Sequence, residues 1–241
     1  MSYRIVALKS IDEFLAMENP EVTGYHLYRG VSDENYDLIP SVGRLHTDRE
    51  ESYRKHFEST ILSEFKLKAA PYVTVTPTDD WEWLFLAQHH RLPTRLLDWT
   101  TSPLFALHFA MNSTKNKHKP FAVYQARSEL RLDHTFRLHF PNGPMAINNT
   151  FSLTPRYLHP RVERQGSVFT IQPNPWIPFT DSNQIVKYVF PADVRKPGLR
   201  KLQLWGITNS VLMPGLDSVA KDIVYNWEVK ADVSETSAKH S

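Results

Sequence analysis

The sequence contains no cysteine, which excludes thiol nucleophiles, disulfide bonds and thiolate metal sites. Glycine is scarce, with 8 residues against 17 prolines, and this ratio indicates fixed turns rather than flexible linkers. Charge is nearly balanced, because 28 Lys and Arg residues against 26 Asp and Glu residues leave a formal net charge of +2. So small an excess gives no argument for a nucleic-acid partner from charge alone.

Long apolar runs are also missing, since no window approaches the roughly 18 apolar residues of a membrane helix. The first residues, 1–4, have no apolar signal core behind them. We therefore expect a cytoplasmic protein without a membrane partner. Hydrophobic residues make up 41% of the chain, which is enough for a sizeable core. We expect one domain over residues 1–228, followed by a polar tail at residues 229–241.

The common nucleotide and hydrolase motifs do not occur. The sequence has no P-loop, no G-x-G-x-x-G fingerprint and no G-x-S-x-G elbow. His89 and His90 are adjacent, and neighbouring helical residues point about 100° apart, so they do not readily share one metal ion. We therefore expect no metal site.

Hydrophobic periodicity and capping residues predict an irregular alternation of helices and strands. Helices are predicted at about 11–18, 48–70, from Asp79 onward, 103–112, 192–205 and 215–226. Strands are predicted at 25–31, 121–124, 167–172 and 185–190, with an irregular segment at about 128–160. This order lacks a βαβ rhythm and therefore favours the α+β class.

Three side chains in these elements make specific structural demands. Gln88 falls on the apolar stripe of the helix after Asp79, so its amide must find hydrogen-bond partners. Ala106 and Ala110 lie four residues apart, and their small size permits a neighbouring element to approach closely. Ser102 followed by proline is typical of a helix start.

Two segments carry a family resemblance. The first contains Tyr28-Arg29-Gly30, and the second runs from Gln88 to Ala110 through Leu-Pro-Thr-Arg-Leu-Leu-Asp-Trp-Thr-Thr-Ser-Pro. Both resemble the signatures of the FRG domain, and weaker matches extend the resemblance over about residues 22–225. His90 and Arg91 depart from it, because the family more often has an aromatic residue and glycine there. Gly215 also departs, since it stands where the family has an acidic residue.

A looser resemblance connects the chain to mono-ADP-ribosyltransferases. That family places an Arg or His on an early strand, a Ser-Thr-Ser segment before a helix, and a late Glu or Gln-x-Glu. Arg29, Thr100-Thr101-Ser102 and the pair Glu163 and Gln165 follow the same order. The resemblance implies an α+β fold of packed, mostly antiparallel small sheets with flanking helices and an NAD-sized cleft.

The resemblance also implies NAD as a substrate and a set of site residues. The expected catalytic residues are Arg29, Glu163 and Gln165. The expected NAD-binding residues are Tyr28, Arg29, Gly30, Gln88, His89, Arg95, Asp98, Thr100, Thr101 and Ser102. Breaking the bond from ribose to nicotinamide passes through an oxocarbenium-like transition state. Arg29 or Arg95 would clamp the pyrophosphate, and Glu163 or Asp98 would stabilise positive charge.

Each of these residues also has a structural interpretation. Arg29 can pair with Asp98 or Asp33, Arg95 can pair with Asp98, and Ser102 can act only as a helix cap. The function implied by the resemblance is ADP-ribosyl transfer to an unknown protein or nucleic acid, in a bacterial toxin or phage-defence effector. The alternatives are a non-catalytic nucleotide- or nucleic-acid-binding module and an NAD glycohydrolase.

Overall fold

Strands from both ends of the chain build the centre of this protein. The computed structural model describes residues 4–17, 25–128, 131–132, 136–154, 167–180 and 185–238. Its strands are β1 (Arg4–Ala7), β2 (Tyr25–Val31), β3 (Leu97–Thr100), β4 (Phe121–Ser128), β5 (Arg131–Leu132), β6 (Phe151–Leu153), β7 (Ser167–Ile171) and β8 (Ile185–Phe190). Its helices are α1 (Ile11–Met17), α2 (Glu51–Ala69), α3 (Asp80–His89), α4 (Pro103–Met111), α5 (Phe136–His139), α6 (Arg195–Leu204), α7 (Asn209–Leu212) and α8 (Leu216–Ala238). Short 3-10 turns lie at Val42–Arg44, Ala70–Tyr72, Pro144–Ala146 and Ala192–Val194.

The described strands join one mixed sheet in the order β1-β8-β4-β2-β3-β7-β6-β5. The pairs β1–β8 and β5–β6 are parallel, and the other pairs are antiparallel. Helices lie between the strands in the sequence without a repeated βαβ unit. The predicted α+β class is therefore confirmed.

The expectation of two separate packed sheets is wrong for the described residues, because their strands form one continuous sheet. A single residue pair connects the two parts of this sheet. β2 pairs with β4 along its whole length, but with β3 only where Tyr28 lies opposite Thr100. The sheet thus consists of two halves, β1-β8-β4-β2 and β3-β7-β6-β5, with a narrow joint between β2 and β3.

The apolar core follows this division. Because side chains alternate across a strand, Tyr28, Thr100 and Asp98 share one face of the sheet. On that face, one apolar cluster packs on the first half around α1 and α4, and another packs α3 on the second half. A third cluster on the opposite face spans the joint, with Leu27 from β2 and Trp99 from β3. Of the three apolar clusters, this third one therefore contains strand residues from both halves of the sheet.

Gly30 allows α4 to lie directly on β2. A Cβ atom at Gly30 would lie 1.9 Å from the carbonyl oxygen of Ala106 and 2.8 Å from the nitrogen of Ala110. No side chain fits in that space, so only glycine permits this approach. The predicted close contact at Ala106 and Ala110 is thereby confirmed, with β2 as the neighbour.

Helix starts and the longer strands were predicted well from local signals. The Asp79 carboxylate accepts a hydrogen bond from the nitrogen of Glu82 at 2.8 Å, and the Ser102 hydroxyl accepts one from the nitrogen of Phe105 at 3.4 Å. The short elements β1, β3, β5, β6, α5 and α7 were not predicted. Of these, β5, α5 and β6 lie in the segment 128–160 that was expected to be irregular. Helix α8 continues to Ala238, past its predicted end near residue 226. The boundary between a domain at 1–228 and a tail at 229–241 stays a prediction.

Candidate functional site

A cleft of about 530 Å³ opens at the joint of the sheet, between the two apolar clusters. Strands β2, β3 and β7 form its floor, and α3 with the segment 72–77 forms a wall. Phe85 and Phe169 stack in this wall with ring centroids 5.8 Å apart. The cleft therefore has an apolar side and, at the joint, a polar side.

Arg29 and Asp98 form the polar centre of this cleft. Nη1 of Arg29 donates to the Asp98 carbonyl oxygen at 2.7 Å and lies 2.8 Å from the Asp98 Oδ2 atom. The guanidinium group reaches this carbonyl where the pairing of β2 with β3 has ended. The side chain of Arg29 is 17% exposed and that of Asp98 is 59% exposed. The carboxylate is thus accessible, while the guanidinium group behind it is mostly covered.

A hydrogen-bond chain fixes the second oxygen of Asp98. The Thr94 hydroxyl donates to Oε1 of Gln88 at 2.5 Å, which leaves the Gln88 amide nitrogen to donate to Oδ1 of Asp98 at 3.4 Å. The Ser41 hydroxyl in turn accepts a hydrogen bond from the nitrogen of Thr94 at 3.0 Å. Gln88 therefore has the partners that its position predicts, and Asp98 is held through both carboxylate oxygens.

Arg44 adds positive charge near this centre. Desolvation and the neighbouring charge of Arg29 lower the pKa of Arg44, while Asp98 opposes the change. Its Nη1 atom donates to the carbonyl oxygen of Ile39. Two guanidinium groups thus lie within electrostatic reach of one carboxylate.

The hydroxyl segment is only partly in the cleft. Thr100 is buried and lines the cleft, and its Oγ1 atom accepts a hydrogen bond from the nitrogen of Ser102 at 3.1 Å. Thr101 and Ser102 are not among the lining residues, and Ser102 caps α4. Tyr28, Gly30 and His89 do line it, together with the residues already described.

Arg95 lies in a different environment from the one the NAD-binding prediction requires. Its Nε and Nη2 atoms contact the two carboxylate oxygens of Glu58 at 2.7 and 2.6 Å. Nη1 donates to the carbonyl oxygen of Pro144 at 3.2 Å, and both charged side chains are buried. The alternative of an ion pair between Arg95 and Asp98 is therefore wrong, because Arg29 occupies Asp98 and Glu58 occupies Arg95.

Two predicted catalytic residues, Glu163 and Gln165, lie outside the described residues. The described chain resumes at Ser167, which lies opposite Thr100 and lines the cleft. Among the described residues, Asp98 is the exposed carboxylate of the cleft, since its other lining carboxylate, Glu82, is buried.

Sequence reasoning missed two parts of the cleft. His90 and Arg91 line it just after α3, and so does the segment 72–77, where Tyr72 and Val75 are strongly exposed. Arg91 has a backbone φ of 65°, the left-handed region that favours glycine. In the sequence, the replacement of the family's usual glycine by Arg91 could have singled out this residue. Only the fold shows that Arg91 lies at the cleft.

The described residues contain neither a candidate metal site nor a membrane-spanning helix. No group of three or more His, Cys, Asp or Glu side chains could hold a metal ion. No helix is both long and apolar enough to cross a membrane.

The comparison with protein families matches residues 25–119 to the FRG domain. This range contains Tyr28-Arg29-Gly30 and the whole segment from Gln88 to Ala110, so the resemblance read from these residues is confirmed. It also contains every described polar residue of the cleft centre. Neither the comparison with curated proteins nor that with solved structures gives a match.

Proposed function

We propose that this chain, which carries an FRG domain at residues 25–119, transfers ADP-ribose from NAD to a macromolecular acceptor. The observation that carries the proposal is the exposed Asp98 carboxylate, held by Arg29 and Gln88 at the base of one cleft. The acceptor is a protein or a nucleic acid.

The reaction requires stabilisation of positive charge on a sugar. The bond from C1′ of the ribose to the nicotinamide nitrogen breaks, and nicotinamide leaves with the electron pair as a neutral molecule. The acceptor atom then bonds to C1′ and loses a proton. A fixed carboxylate near C1′ stabilises the oxocarbenium-like transition state without reorganising during the reaction.

Asp98 is well suited to this role. Arg29 on one oxygen and Gln88 on the other hold its carboxylate in one orientation, which lowers the cost of ordering it during catalysis. Thr100 lies on the same face of β3 and also lines the cleft. In this proposal Asp98 takes the part that the looser resemblance gives to Glu163, and Arg29 positions it.

The shape of the cleft supports a dinucleotide. A volume of about 530 Å³ lies within the range of roughly 300–1,000 Å³ that small-molecule sites occupy. The stacked pair Phe85 and Phe169 gives the apolar surface that a planar ring needs. We further propose that the fold is related to that of ADP-ribosyltransferases, although one sheet with two halves, joined at Tyr28 and Thr100, stands in place of their two separate small sheets.

The test is nicotinamide release by the purified chain, with NAD labelled in its adenosine part and with protein and nucleic-acid acceptors present. We expect nicotinamide release together with label on one acceptor, and loss of both with Asp98→Asn. If no nicotinamide appears with any acceptor, the proposal is wrong.

An NAD glycohydrolase is the second candidate, and the exposure of Asp98 favours it, because water reaches the same carboxylate. Product analysis separates the two functions. Free ADP-ribose without any labelled acceptor would identify the hydrolase.

A further inference from the structure

We infer that Arg91, rather than Arg29, binds the pyrophosphate of the dinucleotide in this cleft. The inference rests on the proposed use of NAD, and it assigns a residue that the family resemblance leaves without a role. Three features of the described residues carry it: the charge balance of the cleft, the backbone of Arg91 and the position of the turn after α3.

Among the arginine and carboxylate side chains that line the cleft, Arg91 is the one without an ion-pair partner in the described residues. Arg29 is paired with Asp98, and Glu82 is paired with Arg137 at 3.1 Å. The side chain of Arg91 is exposed, and it makes no hydrogen bond or ion pair with the other residues that the structure describes. Arg91 is thus the cleft arginine whose charge is left for a ligand.

Asp98 makes Arg29 a poor anion clamp. A phosphate that approached Arg29 would meet the neighbouring carboxylate, because Nη1 already contacts Asp98 Oδ2 at 2.8 Å. Displacing the carboxylate would remove the group that the proposed reaction needs. Like charges close together in a partly desolvated cleft repel strongly.

The backbone of Arg91 is held in a conformation that costs a non-glycine residue stability. Its nitrogen donates to the carbonyl oxygen of Gln88 at 3.0 Å, and the next nitrogen, of Leu92, donates to that of Ala87 at 2.9 Å. These two bonds form a Schellman ending of α3, in which glycine is usual at the position of Arg91. Backbone strain of this kind is enriched at active sites and ligand-binding sites.

The end of α6 shows the unstrained version of the same turn. Gly206 has a φ of 78°, and its nitrogen donates to the carbonyl oxygen of Gln203 at 2.9 Å. A Cβ atom at Gly206 would meet no other atom within 4 Å. The two turns therefore differ in residue type rather than in backbone conformation, and the turn with arginine is the one that lines the cleft.

Pyrophosphate is the ligand chemistry that fits this place. The diphosphate bridge of a dinucleotide carries two negative charges, and a guanidinium group binds phosphate oxygens in a bidentate manner. The carboxyl end of α3 repels an anion through its macrodipole, so binding there requires the positive side chain. The same macrodipole also lets a cation at position 91 stabilise the helix end without any ligand. The experiment must therefore separate ligand binding by Arg91 from stabilisation of α3.

The experiment compares wild type with Arg91→Gly and Arg91→Lys, by calorimetric titration with NAD and with inorganic pyrophosphate and by thermal unfolding. We expect Arg91→Gly to bind both ligands about tenfold more weakly, as loss of one charge-assisted contact implies. We expect its melting temperature to be no lower than that of wild type, because glycine relieves the strain. Arg91→Lys keeps the charge and should fall between the two in affinity.

Gly206→Arg is the matched control, since it places arginine at the same position of the other turn. It should lower the melting temperature and leave the binding of both ligands unchanged. Weaker ligand binding together with an unchanged or higher melting temperature in Arg91→Gly would identify Arg91 as a ligand-binding residue. A residue that only stabilises the helix end would instead lower the melting temperature when it is replaced.

Several results would overturn the inference. These are equal affinities of wild type and Arg91→Gly for NAD and pyrophosphate, or no binding of either ligand by wild type. In a third titration, with a single-stranded oligonucleotide, a loss of affinity in Arg91→Gly that is confined to this ligand would assign Arg91 to a nucleic-acid partner instead. Wild type that binds NAD through Arg91 but releases no nicotinamide would keep this inference and end the proposed transferase function.

Discussion

The pairs formed by Arg95 with Glu58 and by Arg29 with Asp98 share their chemistry and differ in their surroundings. In the first pair the side chains are 5% and 2% exposed, and two parallel contacts of 2.6–2.7 Å join them. In the second pair the carboxylate is 59% exposed and one guanidinium nitrogen makes the contact. Both arginines belong to the signature segments of the domain.

This difference separates structural from functional roles. A buried charge that loses its partner has no water to replace it, so the first pair must stay intact for the fold. An exposed carboxylate can exchange water for a ligand, so the second pair can take part in binding or catalysis. Exposure of the carboxylate, rather than the identity of the residues, distinguishes the pair in the candidate site from the pair in the core.

The largest expected effect is on stability, at Glu58. Glu58→Gln removes the charge opposite buried Arg95, and we expect the free energy of unfolding to fall by about 3–5 kcal/mol. Urea denaturation measures this loss. Glu64→Gln on the exposed side of α2 is the control and should change stability little. A loss below about 1 kcal/mol at Glu58 would show that the buried pair does not stabilise the fold.

The next effect is on activity, at Arg29 and Asp98. We expect Arg29→Ala and Asp98→Asn each to lower nicotinamide release by about 100-fold or more, since each removes a preorganised charge from the cleft. The free energy of unfolding should change by no more than about 1 kcal/mol, because the carboxylate is exposed. Asp37→Asn, at an exposed acid outside the cleft, should leave activity unchanged.

A loss of stability at Arg29 as large as that at Glu58 would remove the contrast between the two pairs. Arg29 would then have a structural role. Thermal unfolding of Arg29→Ala beside Glu58→Gln decides this directly.

An intermediate effect is expected at the pair of Asp33 with Lys119, where the carboxylate is buried and the amine is exposed. The hydrogen bond from Lys119 lowers the pKa of Asp33. The stability from this lowered pKa is present above the unfolded pKa of about 3.9 and is lost as pH falls through the folded pKa. Lys119→Met raises the folded pKa, so acid unfolding should begin at a higher pH, as far-UV circular dichroism would show. An unchanged acid transition would contradict this.

The smallest effect is expected on stability at Arg91, where Arg91→Gly should raise the free energy of unfolding by about 0.5–1 kcal/mol. The left-handed backbone costs a non-glycine residue roughly 1–2 kcal/mol, and the greater freedom of glycine in the unfolded chain offsets part of this. Chemical denaturation measures the difference. A fall in stability would mean that Arg91 makes contacts that stabilise the helix end.

Local signals predicted much of the fold correctly. Asp79 and Ser102 accept the hydrogen bonds that helix starts require, and β2 and β8 begin and end as their β-branched and aromatic residues predict. The strands β1 and β3 were missed because they are four residues long, and such short strands form only where a neighbouring strand pairs with them.

The candidate site was predicted in part. Arg29, Asp98, Gln88, His89 and Thr100 do meet in one cleft, as expected of residues that share a function. Arg95 does not, because Glu58, 37 residues earlier in the chain, takes it into the core. No local pattern reveals which of two carboxylates an arginine will contact.

By itself, the sequence indicated the resemblance of its signature segments to the FRG domain and the α+β class. These depend on signals within a few residues of each other, which act before any tertiary contact forms. The tertiary structure decided that the sheet is joined at one residue pair, that Arg95 is buried while Asp98 is exposed, and that Arg91 faces the cleft. Burial and charge pairing depend on residues far apart in the chain, so only the folded arrangement determines them.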